Sequence, residues 1–292
     1  MRNQAHRFKI DAVIRKLANR RQHGGMRWNE RPMEENIEHI MTIFLQMQKH
    51  IEAVQGKVGI EIGPGDNVGV AYCFLKLGCK KIYAIEQFPS IIVNKRLLNT
   101  FEHIDERFKS AGMPSYCLAS DIIQEEVGHY SFQPDRLIVT QTIFEDASIE
   151  PVDFIYSNDV LEHIANPRKV FQKAYQILKT DGIFVNSIDL AGHNVFSNPL
   201  RPLDFLTCPD WLWELMFSHI VTTNRLRLSD FVQAAKAAGF QIKRENVLLQ
   251  TNAEYLNTIR PHFLPRYRQL PDADLTTVQC LLAAQKNEIK DE

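Results

Sequence analysis

Long apolar runs, an excess of charge of either sign and a paired cysteine framework are all missing from this chain. Each absence closes off a class of protein. No stretch of the 292 residues approaches the roughly 20 consecutive apolar residues that span a bilayer. Lysine and arginine (34) balance aspartate and glutamate (35), for a formal net charge of −1, which gives no global pull toward nucleic acid or an anionic membrane. The five cysteines, Cys73, Cys79, Cys117, Cys208 and Cys280, are odd in number and form no Cys-x-x-Cys pair. A disulfide framework and a zinc site are therefore not expected, and a reducing, cytoplasmic setting fits. Met1-Arg2-Asn3-Gln4 leads into charged residues without an apolar segment, so no secretory signal is expected. There is no repeat and no low-complexity tract.

What is present is organised around Val58-Gly59-Ile60-Glu61-Ile62-Gly63-Pro64-Gly65-Asp66-Asn67. A short apolar strand runs into a glycine turn. A helix is predicted over Val68–Leu77, then a second strand, Lys81–Ile85, ending on Glu86. A strand–turn–helix–strand unit with an acid at the end of its second strand cradles a nucleoside. Gly63 and Gly65 let the backbone turn sharply and approach a ligand, and Glu86 has the acceptors to hold a ribose diol. A dinucleotide fingerprint needs a third glycine at position 68, where this chain has valine. Glu61 and Asp66 would repel a pyrophosphate and suit a cationic ligand.

Here the chain resembles the class I S-adenosylmethionine-dependent methyltransferases, whose Glu-x-Gly-x-Gly motif is matched by Glu61, Gly63 and Gly65. The resemblance implies S-adenosylmethionine as cofactor, with Glu61 and the glycine loop against its methionine end and Glu86 on its ribose. A second stretch, Asp153-Phe154-Ile155-Tyr156-Ser157-Asn158-Asp159-Val160-Leu161-Glu162-His163, resembles the strand after the cofactor motifs in small-molecule members. Carried over, Ser157, Asn158 and Asp159 become cofactor-side or acceptor-side candidates, with Glu162 and His163 beside them. Gln141, at the end of the strand Arg136–Thr140, is the candidate adenine contact, with Thr142, Asp121 and Asp146 as competitors.

The expected fold is α/β: a Rossmann-like seven-stranded methyltransferase sheet with helices on both faces. Strands alternating with helices argue for a parallel sheet, and ligands collect at the carboxyl ends of its strands. Residues 1–56 are expected as a helical extension or lid, with a basic helix over Phe8–Leu17 and a longer one from Pro32 to about Val54. Residues 57–292 form the methyltransferase domain. Helices are also expected over Ser90–Lys109 and after Pro167, the latter closing at Gly182 as a left-handed cap, and over a segment with Ser229 as N-cap. Residues 110–135 stay ambiguous, Arg260–Leu270 reads as loop, and Phe240–Leu249 and Thr277–Ala284 read as two closing strands. The stretch 190–227, rich in aromatics and proline, reads as an insertion walling the acceptor pocket.

Methyl transfer to oxygen or nitrogen needs the acceptor's proton removed near neutral pH, and a histidine oriented by a carboxylate does this. His193 is the candidate base, with Asp189 or Asp159 as partner, and His163 is a further catalytic candidate. Asp189-x-x-x-His193 followed by Asn224-Arg225-Leu226-Arg227 resembles a subgroup seen with carbohydrate and surface-polysaccharide pathways. Asp159, Glu162, His163, Asp189 and His193 could bind Mg²⁺ if they converged, but nothing in their spacing requires it and no metal is expected. The implied activity is methyl transfer to a small acceptor, favoured at oxygen, on a sugar or secondary metabolite. The alternatives are an NAD-dependent Rossmann oxidoreductase and a non-catalytic scaffold with the same fold. No nucleic-acid partner and no membrane span are expected, and the oligomeric state stays open.

Overall fold

The protein is seen here as a computed structural model that describes residues 28–193, 196–216 and 223–287. The basic helix expected over Phe8–Leu17 lies outside these residues, so the expected 1–56 extension is seen only from Trp28 onward. A turn at Trp28–Glu30 leads into α1 (Met33–Gln48), which stops at Gln48, short of the expected Val54. The nucleoside-binding unit follows as β1 (Val58–Ile62), α2 (Gly69–Lys76) and β2 (Lys81–Glu86).

The next helix, α3 (Lys95–Ser110), begins later than expected because Asn94 caps it, its side chain accepting from the Leu97 N–H at 3.0 Å. The ambiguous stretch resolves into an antiparallel hairpin, β3 (Ile123–Glu126) and β4 (His129–Phe132), outside the main sheet. Then come β5 (Leu137–Gln141), β6 (Val152–Asn158), α4 (Pro167–Ile177) and β7 (Leu178–Asp189).

Gly182 does not cap α4. The helix gives way directly to β7 at Leu178, and the left-handed residue is Asp181, at φ 62°. A Cβ on Gly182 would lie 2.8 Å from the Lys179 carbonyl, so glycine serves close packing there. The remainder is α5 (Asp210–Met216), α6 (Leu228–Ala237), β8 (Gln241–Gln250), α7 (Ala253–Ile259), α8 (Pro265–Arg268), α9 (Asp272–Thr276) and β9 (Thr277–Gln285). Ser229 lies inside α6. Arg227 is the capping residue, and Ser229 instead donates its N–H and hydroxyl to Asp274 at 3.0 and 2.6 Å.

The seven-stranded sheet has the order β5-β2-β1-β6-β7-β9-β8. Its first five strands are parallel, β9 runs antiparallel to β7, and β8 antiparallel to β9. Buried side chains cover both faces, one core formed with α1–α3 and the other with α4 and α6. This is the expected sheet with helices on both faces.

A third core stands apart from the sheet. It joins Phe196, Phe205, Leu206 and Trp213 of the 190–227 stretch to Leu256, Phe263 and Tyr267 of the connection between β8 and β9. That connection was expected to hold a loop at Arg260–Leu270; it is a series of short helical turns. Trp211 faces outward while Trp213, Phe205 and Phe196 are buried. Both segments leave the sheet at the edge where β7 ends and β9 begins, since Asp189 pairs with Gln279. The wall beside that edge is therefore built from two distant stretches.

Gly59 in β1 lies against the Phe154 ring, and an ideal Cβ there would sit 2.3 Å from a ring carbon. Gly59→Ala is expected to overpack this strand and cost about 1–3 kcal/mol. The check is a lower urea midpoint with an unchanged slope; an unchanged midpoint would show that Phe154 yields freely.

Candidate active site

Parallel strands bring their carboxyl ends to one edge, and the residues singled out from the sequence collect there. After β1 the chain turns at Gly63 and Gly65, with φ of 66° and 72°, conformations that side chains disfavour. The Gly63 N–H donates to the Ile85 carbonyl at 2.9 Å, and a Cβ at Gly65 would meet nothing within 4 Å. The turn is thus pinned to β2 on one side and open on the other.

Glu86 organises it. The Gly65 N–H donates to Glu86 Oε2 at 2.9 Å and the Phe88 N–H to Oε1 at 3.0 Å. Burial pushes the Glu86 carboxyl above its ordinary range, and those N–H groups pull it back. Gln141 pairs with Glu86 across β2–β5 and is exposed at the same edge.

The two loop acids sit in different surroundings. Asp66 was read as an anion for a cationic ligand, yet its Oδ2 accepts from the Asn29 N–H at 2.9 Å and its carbonyl from the Asn29 amide, tying the turn to the segment before α1. A string of amides reinforces this: Asn67 donates to Asn36 at 3.2 Å, and Asn36 to Asn29 at 3.4 Å. Glu61 points into the core beneath the turn. Burial raises its carboxyl from the ordinary 4.5 to about 8, against the lowering effects of Tyr156 and the Ala71 N–H, and its Oε2 has no hydrogen-bond partner.

The second half of the edge carries ionisable groups. Ser157 donates its hydroxyl to Asn186 at 2.7 Å and is buried. Asn158 donates to Asp159 Oδ2 at 3.0 Å, and Ser187 donates to Asp159 Oδ1 at 3.4 Å. Asp159 sits at φ 53°, a strained position for a non-glycine residue and one found preferentially at functional sites. Burial and then the Asp189 carboxylate raise its carboxyl to about 6, opposed by His193.

His193 Nε2 lies 2.9 Å from Asp189 Oδ2, and the Ala191 N–H donates to Asp189 Oδ1 at 2.8 Å. Burial, the largest single influence, would raise Asp189, but the bond and charge of His193, the Ala191 N–H and His163 together outweigh it and leave the carboxyl below its ordinary value. An ionised carboxylate only accepts, so His193 donates from Nε2, leaving the Nδ1 lone pair free to take a proton. The His163 ring lies 5.0 Å from the His193 ring. Glu162 is fully buried, both its oxygens lack hydrogen-bond partners, and burial followed by Asp159 pushes it well above the carboxylate range. Among the described residues no group of these side chains has the arrangement of a metal site.

The structure therefore brings together His163, Asp189 and His193, with Asp159 between them and the glycine turn. Sequence reasoning gave Ser187 no role and named Asn224 only within a motif resemblance; both meet the site through long-range contacts.

A seven-stranded sheet of this order, with a glycine turn held by a strand-end glutamate, defines a nucleoside-cofactor enzyme of the α/β class. The residues present fit that cofactor, because Gly65 opens on free space beside the Glu86 carboxylate. A family model described as a methyltransferase domain matches residues 27–245. The chain belongs to this family and is an S-adenosylmethionine-dependent methyltransferase.

Solved structures with a similar fold include an S-adenosylmethionine-dependent methyltransferase from Listeria monocytogenes (18% identity, 86% of this chain and 99% of that chain, TM-score 0.47). Another is an S-adenosylmethionine-dependent methyltransferase from Mesorhizobium loti (13% identity, 87% and 100%, TM-score 0.45). A third is phosphoethanolamine N-methyltransferase 2 of Haemonchus contortus (14% identity, 86% and 53%, TM-score 0.49). No curated relative matches the chain. No helix among the described residues is long and apolar enough to cross a membrane.

Glu61 gives a test of this edge. Its folded-state value is raised, so the stability it contributes is complete below about pH 4.5 and is lost as pH rises toward about 8. Relative to wild type, Glu61→Gln is expected to gain stability on the order of 2–4 kcal/mol between about pH 5 and pH 9. Urea midpoints of both proteins across that range check it, and parallel curves would show that Glu61 ionises freely in the fold.

Proposed function

We propose that this enzyme methylates a hydroxyl oxygen of a small molecule such as a sugar or secondary metabolite, with His193 as the general base. The observation that carries the reading is the 2.9 Å bond between His193 and Asp189 at the carboxyl edge of the sheet that also bears the glycine turn.

When bound, S-adenosylmethionine supplies an electrophilic methyl group on a sulfonium. Glu86 is placed to hold the ribose hydroxyls and the Gly63–Gly65 turn to admit the backbone-side contact, with Gln141 beside the adenine and Asn158 and Asp159 toward the methionyl group. His193 Nδ1 takes the acceptor's hydroxyl proton. Asp189, ionised and held by the Ala191 N–H, keeps the ring in its tautomer and stabilises the imidazolium. His163 flanks the same site. The wall formed by 190–227 together with the β8–β9 connection excludes water from the acceptor side, and the segment before β1 covers the turn.

S-adenosylhomocysteine at 100 times its dissociation constant stabilises a protein by about 2.7 kcal/mol, on the order of 5–10 °C for a chain of this size. That shift is expected in wild type and in His193→Gln, and is expected to vanish in Glu86→Ala. Labelled methyl transfer, screened over hydroxyl and amine acceptors, is expected to favour hydroxyls and to fall by about 10²–10⁴-fold in His193→Gln. Undiminished transfer in that variant would remove His193 from the reaction.

A further inference from the structure

The segment Asn224-Arg225-Leu226-Arg227 takes no part in the chemistry above, yet its polar side chains bond to the turn that bears His163 and to the residue after Asp189. Asn224 grips the turn that bears His163. Its backbone N–H donates to the Glu162 carbonyl at 2.6 Å, and its amide donates to the carbonyls of Leu161 and Ile164 at 2.8 and 2.9 Å. Those carbonyls bracket Glu162 and His163. The amide oxygen is used as well, accepting from the Leu226 N–H at 3.0 Å.

Arg227 grips the strand end that bears Asp189. It is fully buried, and its guanidinium donates to the Leu190 carbonyl at 2.6 Å, to the carbonyls of Asp274 and Leu275 at 3.3 Å each, and to the Thr277 carbonyl. Leu190 directly follows Asp189, and Thr277 opens the neighbouring β9. Between them Arg225, at φ 61°, donates to the Cys208 carbonyl at 2.7 Å and pairs with Asp210 at the start of α5. A lysine could not bridge several carbonyls as the planar, multi-donor guanidinium does.

We propose that Asn224–Arg227 is a clasp that positions the two imidazoles of the acceptor site, Asn224 setting the turn of His163 and Arg227 setting the strand end of Asp189 and its partner His193. The proposal rests on the reading of His193 as the base. The rings stand 5.0 Å apart on two elements that also touch directly, the turn of Glu162 and His163 packing against β7. The clasp crosses that gap with a short run of backbone, and through Arg225 it ties the acceptor wall to the same frame. Asn224 and Arg227 are positioning residues, since neither touches His163 or His193 in any bond described.

The test uses full-length protein with ¹³C-labelled Asp and Glu carboxyls, the Asp189 and Glu162 signals being assigned by Asp189→Asn and Glu162→Gln. Asp189 faces His193, His163 and Asp159; Glu162 faces Asp159, Asp189, His163 at 4.0 Å and the Cys280 thiol of β9. In Arg227→Lys the Asp189 carboxyl is expected to titrate higher, by about half a unit or more, as its bond to His193 loosens, with Glu162 unmoved. In Asn224→Ala the Glu162 carboxyl is expected to fall toward its ordinary range as water reaches the freed turn, with Asp189 unmoved. Both variants are expected to keep their S-adenosylhomocysteine affinity within about twofold. Asn224, only partly buried, carries the test alone if Arg227→Lys does not fold. The clasp is overturned if, in a folded variant, its own signal stays in place or the other moves as far. Neither readout needs an acceptor, so such a result leaves His193 to be judged separately by turnover.

Discussion

Five parallel strands that end side by side impose the plan of this molecule. Because each connection crosses back over one face of the sheet, by a helix in three cases and by the short turn Phe144–Asp146 between β5 and β6, every strand delivers its last residue to the same edge. The chain then has to change direction there with its backbone groups unpaired by the ladder. Glu86 answers that need at β2 by accepting the N–H groups of Gly65 and Phe88. Asp189 answers it at β7 by accepting the Ala191 N–H. The same carboxylates that close the strands stand at the edge where ligands of such sheets collect.

Carboxyls at this edge fall into two environments, and the difference is energetic as much as geometric. Asp189 and Glu86 have N–H partners. Glu61 and Glu162 have oxygens with none, and both are buried. A buried unpaired carboxylate is costly, so these two groups keep their protons to higher pH. The far end of this edge thus combines an Asp189 carboxyl held below its ordinary value, a strained Asp159 raised to about 6 and a Glu162 held well above the carboxylate range. Groups pushed apart in this way are typical of sites that move protons.

Much of the glycine-turn unit was legible because its signals are local. Gly63, Gly65 and Glu86 lie within one strand–turn–helix–strand unit, and a glycine turn has few conformations. The pairing of Asp189 with His193 was legible for the same reason, being four residues apart. The start of α3 was missed because apolar spacing is visible from Ser90 onward, whereas the capping side chain that decides it is Asn94. The third core was half missed: the aromatics of 190–227 were visible, but their partners come from beyond β8, and no periodicity announces a contact across that distance. Asp66 was misread for the reverse reason. Its charge was visible and its bond to Asn29 was not, so a structural anchor looked like a ligand-facing acid.

The attachment of α1 has its own logic. On its inner side the helix is tied to the glycine turn through the neutral amides of Asn29, Asn36 and Asn67, largely removed from solvent. On its outer side it is held by exposed charges, Arg107 with Glu34 and Glu38, and Arg31 with Glu35. Dissolved ions screen the outer set and leave the inner one untouched. The helix is thus fastened to the glycine turn by bonds that ionic strength leaves alone, while the ion pairs on its outer side weaken as salt rises.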